Sequence, residues 1–445
     1  MQTLQARLDH MPPRSGQVVI LLICLLLNMA DGFDVLAMSY AAPSLAAQWS
    51  VAPAQLGIVF SAALVGMALG SMVLAPFADV VGRRTMVLIA ATLVSGCMFA
   101  TALCTSVWQL VALRLLAGLG IGVIVPTSAT LATEYAPAQI RNAAVVLIAA
   151  GFSIGAVAAG VVGEEIITAF GWQGLFVTGG VITATLALLS ALFLKESVYY
   201  LAAARMPEAD KLGRINKVLS SLRHEPIDAL APSESEVTAG GRLAELFAPK
   251  LRLATGQVWL LWFAYFWASY LVANWIPTLM VYNGYTQAQG IDALTYFTTG
   301  ALIGAIALGF ASARFLLPPM VSGMLLIAAV LVTGWVTIDF EFSVQKLILG
   351  AVGFMLSASY GVFPIVASIY PARIRATGIG SGTGFGRVGA ILSPLITGVV
   401  AAAGWSLEQM MLTLLVPAVI IAGLLVVSVA RYAGSGEAAG EPPAA

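Results

Sequence analysis

The chain has 445 residues, of which 60% are hydrophobic and 9% charged, with a net charge of zero and a mean hydropathy of +0.95. Soluble domains carry about 25% charged residues, so a surface this poor in charge faces something other than water, which excludes a soluble enzyme. Zero net charge leaves no electrostatic footprint for nucleic acid, and apolar runs of about 20 residues without strand-like alternation are membrane-crossing helices and not β-barrel strands.

The first run, near 18–43, follows Arg7 and Arg14 and starts like a signal peptide. It continues through Asp31 and Asp34 to Pro43, which makes it long enough to span. Further spans are expected near 55–77, 85–104, 107–133, 143–167 and 173–194. A hydrophilic stretch with Lys195, Lys211, Arg214 and Lys217 comes next, and its Asp210–Leu222 segment is an expected amphipathic helix on the membrane surface. Six more spans are expected near 255–281, 293–313, 318–338, 344–368, 376–402 and 407–430, before a Gly/Ala/Glu/Pro-rich tail with a disordered composition. The pattern predicts an all-α membrane protein of twelve transmembrane helices in two six-helix bundles. Its parts are a cytoplasmic tail 1–17, bundles 18–194 and 255–430, a cytoplasmic connector 195–254 and a disordered cytoplasmic tail 431–445.

With both termini inside, the inner segments receive Arg83, Arg84, Arg141, Arg252, Arg314, Arg373, Arg375 and Arg431, and the outer loops receive only Lys346. Pro137 to Arg141 repeats as Pro371 to Arg375, an offset of 234 residues. Gly155-Ala156 repeats as Gly389-Ala390 and Gly171-Trp172 as Gly404-Trp405, in nearly the same register. Duplicated six-helix halves characterise secondary transporters that bind solute at mid-membrane between the halves.

Charged residues inside a membrane are expensive, and each is a functional candidate. Asp31 and Asp34 share one helix face, being three residues apart, and two carboxylates this close in low dielectric cannot both ionise cheaply. They are the expected proton carriers. The alternatives are that Asp31 caps a helix broken at Gly32, or that either pairs statically with an arginine. His10 and His224 lie in a tail and the connector, so neither reaches mid-membrane. Arg114 and Arg387 are permanent cations. Each is a candidate counter-ion for Asp31 or Asp34, a candidate clamp for an anionic substrate through bidentate hydrogen bonds, or half of a static ion pair. On the aromatic seventh span, Phe266, Tyr270 and Asn274 share a stripe with Trp259 and Phe263, on which a ring substrate would stack. The other reading of that stripe is packing. Cys24, Cys97 and Cys104 lie in apolar runs at no metal-ligand or disulfide spacing, and no cofactor or metal is expected.

Ala78-Asp79-Val80-Val81-Gly82-Arg83-Arg84 resembles the cytoplasmic loop signature of the major facilitator superfamily, departing from it at Ala75 and Val80. Asp31-Gly32-Phe33-Asp34, Glu134-Tyr135-Ala136-Pro137 with Arg141, Asn274 to Thr278, Arg375 to Gly378 and Gly386 to Gly389 resemble the signatures of its aromatic acid:proton symporters. The resemblance implies a major facilitator fold and uptake of a benzoate or hydroxybenzoate with protons across a bacterial inner membrane. It implies proton coupling by Asp31, Asp34 and Arg114. Substrate contacts fall to Arg387, Phe266, Tyr270, Asn274 and Asp34, and gating to Asp79, Gly82, Arg83, Glu134, Arg141 and Arg375. Related carriers of other organic acids, sugars or nicotinate share parts of these signatures, and direction of transport is not written in them. A transporter-derived sensor would append a signalling domain, and a membrane enzyme would need a catalytic cluster; the expectation is that the chain is neither.

Overall fold

The computed structural model describes residues 14–204, 206–222, 225, 227, 242–371 and 373–434. His10, His224, Arg7 and the tail from 435 lie outside them. The described residues form helices and connecting turns, with no strand among them.

The long helices are α1 (Ser15–Trp49), α2 (Pro53–Val81), α3 (Arg83–Ala102), α4 (Val107–Tyr135) and α5 (Arg141–Phe193). Two short helices follow, α6 (Val198–Ala203) and α7 (Glu208–Ser221). The second half holds α8 (Arg252–Tyr282), α9 (Gln287–Ala311), α10 (Leu317–Thr337), α11 (Phe342–Ala367), α12 (Arg375–Ala402) and α13 (Leu407–Tyr432). Ten of these helices are long and apolar enough to cross a membrane. One of the ten, α5, has 53 residues and bends at Gly171, whose φ of 71° only glycine adopts freely, so it makes two spans. The 31-residue α8 is the twelfth, its hydropathy lowered by its tryptophans and tyrosines. The protein is a multi-pass membrane protein of the predicted class.

The chain forms two compact units. One comprises Met1–Ala37, Ala62–Ala159 and Glu165–Glu236, and the other Met38–Ser61, Gly160–Glu164 and Val237–Ala445. Inside the first, α1 runs unbroken past Gly32, so Asp31 does not cap a broken helix. Gly32 serves close packing instead, because a Cβ there would overlap the Phe152 carbonyl of α5.

The duplication is visible in local geometry. Ile140 and Ile374 take nearly the same backbone angles (φ −115° for both, ψ −2° and 1°). Arg141 Nε donates to the Ala136 carbonyl at 3.3 Å, and Arg375 Nε donates to the Tyr370 carbonyl at 3.4 Å. Gly171 and Gly404 both have positive φ. Gly155 of α5 sits against the Met29 carbonyl, and Gly389 of α12 against the Phe263 carbonyl; Met29 and Phe263 are themselves 234 positions apart.

The connector forms a helix over Glu208–Ser221, matching the amphipathic segment. Ile215 and Leu219 pack on Val198 and Leu201 of α6 and on Ile227, which removes their apolar surface from both water and membrane.

Candidate functional site

The first unit holds a buried charge cluster. Asp31, Asp34 and Arg114 are each 1% exposed, and they are the fully buried charged side chains among the described residues. Arg114 Nη1 donates to Asp34 Oδ1 at 2.9 Å, a charge-assisted bond with water excluded. Nη2 donates to the Thr101 hydroxyl at 3.1 Å, and that hydroxyl donates to the Cys97 carbonyl at 2.7 Å. The guanidinium carbon lies 5.0 Å from the centroid of the Phe176 ring, within cation–π range. Four elements thus fix one cation against one carboxylate. Asp31 is left out of this arrangement. Its Oδ2 is buried with no hydrogen-bond partner, and no ion pair reaches it from the described residues.

A second cluster surrounds the turn between α2 and α3. Gly82 has a φ of 106°, and a side chain there would overlap the Glu196 carboxylate. Arg83 pairs with Asp79 at 2.9 Å and with Glu134 at 3.4 Å, so two of the predicted acids converge on one predicted base. The Arg83 guanidinium lies 5.7 Å from the Tyr200 ring centroid. Tyr200 donates its hydroxyl to the Val80 carbonyl, and Glu196 Oε1 accepts from the backbone N–H of Arg84. Glu196 and Tyr200 are members that sequence reasoning missed. The Lys195-Glu196-Ser197 run reads as the start of a solvated connector, and nothing local marks it as returning to residue 82.

In the second unit, α8 carries a continuous aromatic series. Trp262 meets Phe266 at 5.4 Å between centroids, and Phe266 meets Tyr270 edge-on at 6.1 Å. Asn274 is buried and donates its amide to the Tyr270 carbonyl at 2.8 Å. Phe266 and Tyr270 remain half-buried, as a lining surface requires. Trp259, also half-buried, stacks on Phe385 of α12 at 4.9 Å and donates its indole N–H to Ser381, which makes it a packing residue. Arg387 follows Gly386, where a Cβ would come within 2.9 Å of the Phe266 ring. It is half-buried and has no ion pair among the described residues, so the static-pair reading does not hold for it. Its charge interacts with the Tyr270 hydroxyl. Among the described residues, no group of three or more His, Cys, Asp or Glu is arranged to hold a metal.

Twelve spans, a buried ion pair beside a carboxylate with no ion pair among the described residues, and a half-buried arginine on the helix packed against an aromatic face are the parts of a membrane transporter that carries its own charge balance. The chain belongs to the Major Facilitator Superfamily, whose sequence profile matches residues 23–364. It is 32% identical to the 4-hydroxybenzoate transporter PcaK of Pseudomonas putida over 432 residues, covering 95% of this chain and 96% of the relative. It is 30% identical to a gallate transporter of Pseudomonas putida, covering 92% and 91%. The crystal structure of a D-xylose-proton symporter superposes with a TM-score of 0.70 at 18% identity, covering 92% of this chain and 97% of that one, which supports the fold alone. The protein is a transporter and not an enzyme.

Proposed function

We propose that this protein imports an aromatic carboxylate of the benzoate or hydroxybenzoate class together with protons, by alternating access across a bacterial inner membrane, with both termini cytoplasmic. The observation that carries the reading is Arg387, a half-buried cation with no acidic partner among the described residues, whose charge reaches the Tyr270 hydroxyl and whose neighbour Gly386 packs on the Phe266 ring. An unpaired charge within a span is costly and calls for an anion during the cycle. The guanidinium takes a carboxylate, the aromatic face takes the ring, and the named relatives carry 4-hydroxybenzoate and gallate.

Asp31, Asp34 and Arg114 serve proton coupling in this reading. Asp79, Gly82, Arg83, Glu134, Arg141 and Arg375 serve the cytoplasmic gate, where the bridges from Arg83 to Asp79 and Glu134 form and break during the cycle. The two bundles are 18–194 and 255–430.

The test is uptake by proteoliposomes of a labelled panel: 4-hydroxybenzoate, gallate, benzoate, nicotinate and a hexose, each with and without an inward proton gradient. Gradient-dependent accumulation of the hydroxybenzoates is the expected result. Accumulation of the hexose, or uptake indifferent to the gradient, would reject the proposal.

A further inference from the structure

We infer that the carrier takes one proton per turnover, on Asp31 alone, and that import of a monocarboxylate is electroneutral. The inference rests on the proton-coupled uptake proposed above and adds to it the stoichiometry, the single carrier group and the absence of net charge movement.

The argument is a count of buried charges. The first unit buries two carboxylates and one guanidinium. Arg114 is committed to Asp34 at 2.9 Å and is held there by Thr101 and by the Phe176 ring. Its charge is therefore cancelled whether or not transport occurs. Asp31 has no such partner, and its Oδ2 is buried without a hydrogen bond. A buried charge without a partner is far more costly than a neutral carboxylic acid at the same place. With one proton on Asp31 the three side chains sum to zero. With none they sum to −1, and with two protons they sum to +1 and strand Arg114.

The surrounding groups do not alter the count. On α1 the other ionisable side chains near Asp31 are Asp34 and Cys24. From α4 comes Arg114, and Cys97 of α3 and Cys104 just after it lie close enough to feel the Arg114 charge. Helix α5, which packs on α1 through Gly155, has Glu164 and Glu165 as its acidic residues, and both are exposed.

The second unit contributes Arg387. In the empty carrier its charge and the unprotonated Asp31 sum to zero. In the loaded carrier the proton neutralises Asp31, forming an O–H bond to its carboxylate, and the carboxylate of the substrate neutralises Arg387. The proton leaves Asp31 to water on the inner side as the substrate departs. Neither the loaded nor the empty carrier then moves net charge through the membrane field.

The experiment uses the wild-type protein in proteoliposomes, with labelled 4-hydroxybenzoate as probe. An inward gradient of one pH unit is expected to sustain about a tenfold accumulation, since each pH unit is one decade of proton activity. An inside-negative potassium diffusion potential of about 100 mV, at equal pH, is expected to change nothing. Were two protons carried with each monoanion, the same potential would add about fiftyfold, the equivalent of 2.3 kcal/mol per charge. That gain would overturn the inference while leaving proton coupling intact. A null response to both gradients would reject the coupling itself, and the inference with it. A second arm uses Asp31→Asn, with a monodisperse elution profile as proof of folding. Loss of the pH-driven accumulation is expected, and retention of it would show that Asp34 carries the proton.

Discussion

Asp34→Asn should destabilise the protein far more than the loss of one surface ion pair. The substitution keeps the shape of the side chain and removes its charge, leaving Arg114 cationic with its side chain only 2% exposed. Removing one partner of a buried pair costs about 3–5 kcal/mol, because the remaining charge is uncompensated. Thr101 and the Phe176 ring still contact the guanidinium, which places the loss towards the lower end of that range. The natural control is Arg373–Glu245, a shorter pair at 2.7 Å whose side chains are 73% and 33% exposed. Solvent screening limits such a pair to roughly 0–1 kcal/mol, so Glu245→Gln should be nearly silent. Thermal unfolding of the detergent-purified variants, followed by tryptophan fluorescence, measures both. The double variant Asp34→Asn with Arg114→Gln should recover part of the loss, since the orphan charge is gone. Equal losses for Asp34→Asn and Glu245→Gln, or a double variant that loses the sum of the singles, would refute the reasoning.

Other substitutions test the remaining assignments. Arg387→Lys keeps the charge but loses the fork, so 4-hydroxybenzoate should bind more weakly by about 1–3 kcal/mol, while its uncharged amide changes little; equal losses in a quenching titration would make Arg387 a packing residue. Asp79→Ala removes one of the two acids on Arg83 and should slow turnover in proteoliposomes more than it weakens equilibrium binding. A normal rate with a large affinity loss would contradict the gating role. Gly155→Ala drives a methyl into the Met29 carbonyl, and Gly96→Ala meets open space, so the first should lower the unfolding temperature and the second should not.

The spans were legible because an apolar run of 20 residues has few other uses, and the intramembrane charges because their cost makes them conspicuous. The pairing among them was only half legible. Spacing placed Asp31 and Asp34 on one face, but which of them meets Arg114 depends on how α4 rotates against α1, and no local signal encodes that angle. Thr101 and Phe176 were invisible for a related reason: a hydroxyl and a ring inside apolar runs look like packing until a guanidinium is found between them. Of the aromatics on α8, Trp259 and Phe266 share a stripe in sequence and are both half-buried, yet they differ in neighbours: Trp259 stacks on Phe385, and Phe266 meets Trp262 and Tyr270. The amphipathic pattern over Asp210–Leu222 marks a helix, observed over Glu208–Ser221, but not the neighbours its stripe packs on. Its hydrophobic stripe was real, but Val198 and Leu201 cover it first.

Gly155 against Met29 and Gly389 against Phe263 repeat one helix contact in two places, yet the charged side chains near those contacts have no counterparts across the repeat. The scaffold is therefore inherited twice and the chemistry once. On the assignment proposed here, the power source is written in α1 and α4, and the cargo is written in α8 and α12. Selection acting on the cargo residues alone can retarget such a carrier to a new solute without rewiring how it is driven. The same separation suits engineering, where a graft of the second half from a relative with a different cargo would inherit a working drive train.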